Sequence, residues 1–287
     1  MLAVLSKELK AYFYSATGYV FMGVFLLICG IFFANYNLIP ASPLYSNVLS
    51  SITFIFLILV PIITMRLIAE EKHQKTDQLL LTSPLSVSEI VIGKYLASVA
   101  LFFLTLIITF LYPFMLSRYG TIPTGEIAAT YIGFALMGAA FISVGVFVSS
   151  LTENQVVSAV SSFGMLLLIW IIDWVKQGLP ATRNAGIVFA AVLAVVLAVV
   201  FYVSTKNIIF AAAEAVLGAA IIIVVFLKNN TLFEGFVPSF FGWFSLLERF
   251  QSFSMGMVDL GSVVFYITFS IAFVYLTIRM IEKRRWS

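Results

Sequence analysis

Side chains able to do chemistry are scarce in this 287-residue chain, which carries 16 Lys or Arg, 13 Asp or Glu, one His and one Cys. The densest group runs through Arg66, Glu70, Glu71, Lys72, His73, Lys75, Thr76 and Asp77, followed by Leu79, Leu80, Leu81 and Pro84. The chemistry on offer is ionic contact. Glu71 and Lys75 stand one helical turn apart, the leucines can dock on an apolar surface, and Pro84 should end the helix. Such a segment reads either as a cytoplasmic lever for a protein partner or as a solvated linker whose charges keep it out of the membrane.

Other reactive groups are isolated. His73 has no Cys or His neighbours for a first-row metal centre, and the sole cysteine, Cys29, cannot form an intrachain disulfide. No Gly-rich loop followed by Lys-Ser or Lys-Thr is present to cradle nucleotide phosphates, and the serines form no nucleophile arrangement. Catalysis and cofactors are therefore not expected in this chain. Glu214 lies inside an apolar stretch, where a carboxylate must be neutral, paired or facing a polar passage. It is either an intramembrane polar site or a headgroup-level side chain, about 9 Å into the span that follows the edge marked by Lys206 and Asn207.

The elements that hold these groups are membrane helices. The chain is 62% hydrophobic and 10% charged, against roughly 25% charged in soluble domains, and its mean hydropathy is +1.10. No charge occurs from Ala11 through Met65, a stretch too long for one crossing and interrupted by Asn35, Asn37, Pro40 and Pro43. Spans are expected at 18–38, 47–67, 95–117, 128–149, 155–173, 185–204, 208–227 and 262–280, each near the roughly 20 residues a bilayer requires. The fold class is an all-α polytopic membrane protein of eight transmembrane helices. The alternative has six, with 154–173 and 208–227 re-entrant or interfacial.

With both termini in the cytoplasm, 11 of the 16 basic residues fall inside and five outside, in keeping with the positive-inside bias. Residues 1–16, with Leu2, Leu5, Leu9 and Tyr12 at helical spacing, are expected to form an amphipathic cytoplasmic interfacial helix. The first apolar segment should remain as an anchor, because Phe33-Ala34-Asn35 lacks a small-x-small cleavage pattern. Residues 17–287 form the transmembrane domain, with a cytoplasmic connection at 66–93 and an aromatic external interfacial segment at 228–261. Gly133, Gly138 and Gly145 would allow close helix approach. The scattered cations do not make a nucleic-acid surface.

The stretch Met65–Ser86, followed by Ile92-Gly93-Lys94-Tyr95-Leu96-Ala97, resembles the permease subunits of type-2 ABC exporters. The carboxyl-terminal run from Phe244 through Glu248, Arg249, Gly256, Asp259 and Glu282-Lys283-Arg284-Arg285-Trp286 resembles the gliding-motility-type branch of those permeases. Members commonly carry Gly-Thr where this chain has Lys75-Thr76. The resemblance implies a permease of a bacterial or archaeal cytoplasmic membrane, paired with an identical or homologous permease and surrounded by lipid. It also implies cytoplasmic ABC ATPase subunits, which would bind ATP and Mg, and allows an external accessory subunit. Arg66, Glu70, Glu71, Thr76 and Leu79 are the implied coupling-interface residues. Two other classes stay open: a membrane assembly or regulatory subunit that carries no substrate, and a secondary transporter.

Overall fold

The computed structural model describes residues 1–76, 85–228 and 230–285, and every regular element among them is helical. Seven helical segments among them are long and apolar enough to cross a membrane: Ala16–Leu38, Ser46–His73, Val87–Leu116, Thr124–Leu151, Gln155–Gly178, Arg183–Val200 and Leu260–Lys283. The remaining expected span, 208–227, is helical as Ile208–Lys228, within which Val216–Lys228 is a shorter apolar helix. The chain is an all-α polytopic membrane protein.

Two compact units make up the fold, one comprising Met1–Ile169 with Leu246–Ser287 and the other Trp170–Ser245. In the first, α1 (Leu2–Tyr14) ends at Ser15, whose extended backbone turns the chain into α2 (Ala16–Phe33). Gly18 makes that turn feasible, since a Cβ there would lie 2.5 Å from the Tyr12 carbonyl oxygen. After a π-helical turn at Ala34–Leu38 come α3 (Ser46–Ser51), a 3-10 turn at Ile52–Ile55, α4 (Phe56–Thr64) and the short α5 (Ala69–His73).

Helix α6 (Val87–Ile108) starts from a capping box. The Ser86 hydroxyl accepts from the Glu89 amide while the Glu89 carboxylate accepts from the Ser86 amide, satisfying two donors that the first turn would otherwise leave open. Residues 87–93 of the connection expected at 66–93 form the first turns of α6. The unit continues with α7 (Leu111–Leu116), α8 (Thr124–Leu151) and the first part of α9 (Gln155–Gly178).

Lipid tails are as apolar as leucine, so close packing rather than water exclusion must hold these helices together. The core supplies it with rings from α2, α4, α6 and α8. Phe56 lies 4.8 Å from Phe134, 5.4 Å from Phe141 and 5.6 Å from Phe102 between centroids, and Phe25 is 6.2 Å from Phe134. Such pairs contribute about 0.5–1.5 kcal/mol each beyond their area. Glycines on α8 admit the neighbours: a Cβ at Gly138 would stand 2.4 Å from the Phe102 ring, and one at Gly145 would stand 2.4 Å from Thr64 Oγ1.

The second unit contains the hairpin of α10 (Arg183–Thr205) and α11 (Ile208–Lys228), a 3-10 turn at Asn230–Phe233 and α12 (Phe236–Phe244). Gly186 packs directly on the Phe233 carbonyl, where no side chain would fit. Phe189 sits among Phe236, Phe240 and Phe241. The first unit then resumes with α13 (Leu246–Ser254) and α14 (Leu260–Arg285). The aromatic stretch expected as one interfacial segment at 228–261 is thus several short elements. Phe250 and Phe253 of α13 are buried, and the Thr130 hydroxyl of α8 donates to the Phe253 carbonyl.

Candidate functional site

The candidate site is an ionic cluster where α1, α5 and α6 meet, and its centre is Lys94. That side chain is 2% exposed, yet its ammonium finds Glu8 Oε1, Glu71 Oε1 and the Leu67 carbonyl, each at 2.8 Å. An ammonium has three donors, so all are engaged. Burying this charge would cost several kcal/mol without such partners. Lys7 adds weaker contacts, at 3.5 Å to Glu71 and 4.0 Å to Glu8.

Helix α1 is laid along α6 by this pairing. The Met1 amine reaches Glu89, Val4 packs on Gly93, Glu8 meets Lys94 and Tyr12 meets Ser98. Contacts advance along both helices together, so α1 and α6 run parallel. Val4 and Tyr12 of α1 are buried and the Glu8 side chain is only 13% exposed, whereas Leu2 of the expected apolar stripe is 75% exposed and Leu5 and Leu9 are half-buried. The physical reason is the Lys94 charge, which demands that Glu8 turn inward. Tyr12 Oη donates to the Ile63 carbonyl at 2.7 Å, and burial raises its phenol so that the donor proton stays in place.

Helix α5 is gripped from α8. The Ile68 and Ala69 amides both donate to Ser149 Oγ, at 3.3 and 3.2 Å, and Lys72 Nζ donates to the Ser150 carbonyl. Residue Ile68 itself provides no side-chain cap. A hydroxyl from another helix therefore does the work of an N-cap.

The implied coupling residues separate into distinct roles. Arg66 and Glu70 form a two-point ion pair, Nε to Oε2 at 2.8 Å and Nη2 to Oε1 at 3.1 Å, while Arg66 Nη1 also donates to Thr17. Gln74 donates to the same Glu70 carboxylate. Glu71 points the other way, into the Lys94 cluster. The expected Glu71–Lys75 pairing is corrected: α5 ends at His73, and Lys75 adopts a left-handed backbone with φ 57°. The pair at that spacing is Arg66–Glu70 instead. Thr76 folds back on the turn, its amide and hydroxyl both donating to the Glu71 carbonyl. Leu79 lies outside the described residues, as do Leu80, Leu81 and Pro84. Glu214 falls within α11, but its side chain is outside what is described.

A cleft of about 430 Å³ opens above the cluster, lined among others by Lys7, Thr17, Arg66, Glu70 and Gln74. Its walls mix both charge signs and hold no group of His, Cys, Asp and Glu suited to a metal among the described residues. The arrangement offers both charge signs for polar contact. Glu8 and Lys94 were missed by sequence reasoning, although a lone lysine between Ile92-Gly93 and Tyr95-Leu96 was itself a signal of a paired buried charge.

No curated protein matches the chain at a significant level. The family model of the ABC-2 family transporter proteins matches residues 4–181, more than half of the chain and the whole of the Lys94 cluster. The family is that of a membrane transport subunit, not itself catalytic. This chain therefore belongs to the ABC-2 family of transporter proteins and is a membrane permease component of an ABC transporter.

Proposed function

We propose that the chain is an exporter permease in which a cytoplasmic ABC ATPase acts on α5 and the cleft beside it. The observation that carries this reading is the three-way hold on Lys94, which ties α5 to both α1 and α6. A force on α5 then moves two helices at once. Glu70, on the cleft side with Arg66, is the docking residue, and Glu71 is the brace that passes the movement inward. Thr76 shapes the turn that follows. Leu79 and Glu214 remain proposed as a docking leucine and an intramembrane polar site.

The wider assembly follows from the family. Two permease chains, identical or homologous, would meet in the bilayer, and ATP with Mg would be bound by the partner ATPases. Hydrolysis there biases the permease between conformations that differ in access. The basic-residue bias supports cytoplasmic termini in a bacterial or archaeal cytoplasmic membrane, and the run from Phe244 to Trp286 supports the gliding-motility-type branch. In this topology α1 is the cytoplasmic interfacial helix, with Leu2 turned toward headgroups, and α13 belongs to the external face.

Reconstitution with the cognate ATPase tests the reading. Glu70→Lys should abolish substrate-stimulated ATP hydrolysis and ATP-driven transport while leaving thermal stability within about 1 kcal/mol, the range of a partly exposed ion pair. Wild-type transport by a well-assembled Glu70→Lys complex would overturn the docking role.

A further inference from the structure

Helices α6, α8 and α14 enclose a second cavity, a groove of about 490 Å³ between Tyr95, Leu136, Ala139, Ile267, Ile271 and Tyr275. Its size is that of a small-ligand site, which spans roughly 300–1,000 Å³. The hydroxyls along its wall are engaged within the protein. Tyr95 Oη donates to the Ala139 carbonyl, Ser270 Oγ to the Tyr266 carbonyl and Tyr266 Oη to the Leu246 carbonyl, while Tyr275 Oη accepts from Arg279 Nε. The surface left for a guest is hydrocarbon.

One side of the groove faces outward, with Ile267, Ile271 and Tyr275 46, 63 and 50% exposed. Toward the Lys94 end of the helices it is floored by packing of Val87 and Val91 on Val274. Beyond that floor stands a cation. Arg279 holds its guanidinium over the Tyr275 ring at 5.0 Å from the centroid and pairs Nη1 with Glu282 at 3.1 Å, which leaves Nη2 for a guest, and its side chain is 62% exposed. Hydrocarbon at bilayer depth with a cation at one end matches a phospholipid, acyl chain within and phosphate at the helix terminus.

We infer that this groove is a binding site for an anionic phospholipid of the leaflet at the Lys94 end, one acyl chain lying between α6, α8 and α14 and its phosphate on Arg279. A helix from a second copy fits less well. Close helix approach favours small residues, and this wall presents Ile92, Leu136, Ile267, Ile271 and Ile278. The inference rests on the membrane-spanning fold alone and is independent of ATPase coupling.

The test uses the full chain in phosphatidylcholine vesicles containing a minor fraction of phosphatidylglycerol with a photoactivatable diazirine on one acyl chain, and sites of attachment read by mass spectrometry. Labelling should concentrate on Tyr95, Leu136 and Ile271. Arg279→Gln, an exposed substitution that leaves the fold intact, should lower labelling there several-fold, while a diazirine-bearing phosphatidylcholine labels both proteins equally. Ile271→Trp, which fills the groove, should lower labelling by both probes. Uniform labelling along all exposed helix faces, or insensitivity to Arg279→Gln, overturns the site. So does protection of the groove from both probes together with disulfide crosslinking between copies carrying Ile271→Cys, which would make it a helix interface.

Discussion

Lys94 and Glu71 meet at 2.8 Å across the junction of α6 and α5, with the lysine almost wholly withdrawn from solvent. Glu8 completes the group from α1 at the same distance. Two carboxylates held around one buried ammonium carry an excess negative charge, which only the longer contacts of Lys7 offset.

Lys94→Met should therefore be costly. It leaves Glu8 and Glu71 facing each other with only the longer contacts of Lys7, and losing one partner of a buried pair costs about 3–5 kcal/mol. Thermal unfolding in detergent should fall accordingly. Adding Glu71→Gln to Lys94→Met should recover part of the loss, and a double variant no more stable than the single would contradict the shared-charge account.

Ser149→Ala removes the acceptor for the Ile68 and Ala69 amides, both buried. Loss of a cap of this kind costs about 1–2 kcal/mol. Hydrogen exchange at those two amides should accelerate, while exchange in α14 stays as in the parent.

Lys75 holds a left-handed backbone, which costs a residue with a Cβ about 1–2 kcal/mol. Lys75→Gly relieves that cost and should leave the protein as stable as the parent or better by up to about 1 kcal/mol. Lys75→Val, β-branched at positive φ, should be the least stable of the three. Chemical denaturation of the set decides the order.

Asp259 accepts from the Ser262 hydroxyl at 2.7 Å and from the Ser262 and Gly261 amides at 2.9 and 3.1 Å, capping α14. The Ser262 contacts come first in holding its carboxyl below the usual range. A lowered folded value means stability present above the unfolded value of about 3.9 and lost as pH falls through the folded one. Asp259→Asn should flatten this acid-side loss, measured as unfolding temperature against pH.

Much of the fold could be read from composition, because charge-free stretches of membrane length leave few alternatives to helices. The carboxyl end of the α4–α5 segment was harder: a period of 3.6 in Glu71 and Lys75 promised one continuous helix, but the chain leaves helical geometry after His73. Glu70 and Glu71 looked equivalent as neighbours in sequence. On a helix they point about 100° apart, so one faces the cleft and the other the core. The Glu8–Lys94 pair joins residues 86 positions apart, a separation that no local pattern encodes. Lys75 has the backbone conformation that glycine favours, which its sequence neighbours do not announce.

Helix α8 is held at both ends by different parts of the chain. Its 28 residues run about 42 Å at 1.5 Å per residue. At one end Ser149 holds the start of α5; at the other, Thr130 holds Phe253, and Glu126 takes the Ser46 hydroxyl. Between them Gly138 and Gly145 are pressed against Phe102 and Thr64, which leaves little slack for bending. The helix is thus a single strut within this unit, with the seat of α5 at one end and the seat of residues 246–254 at the other.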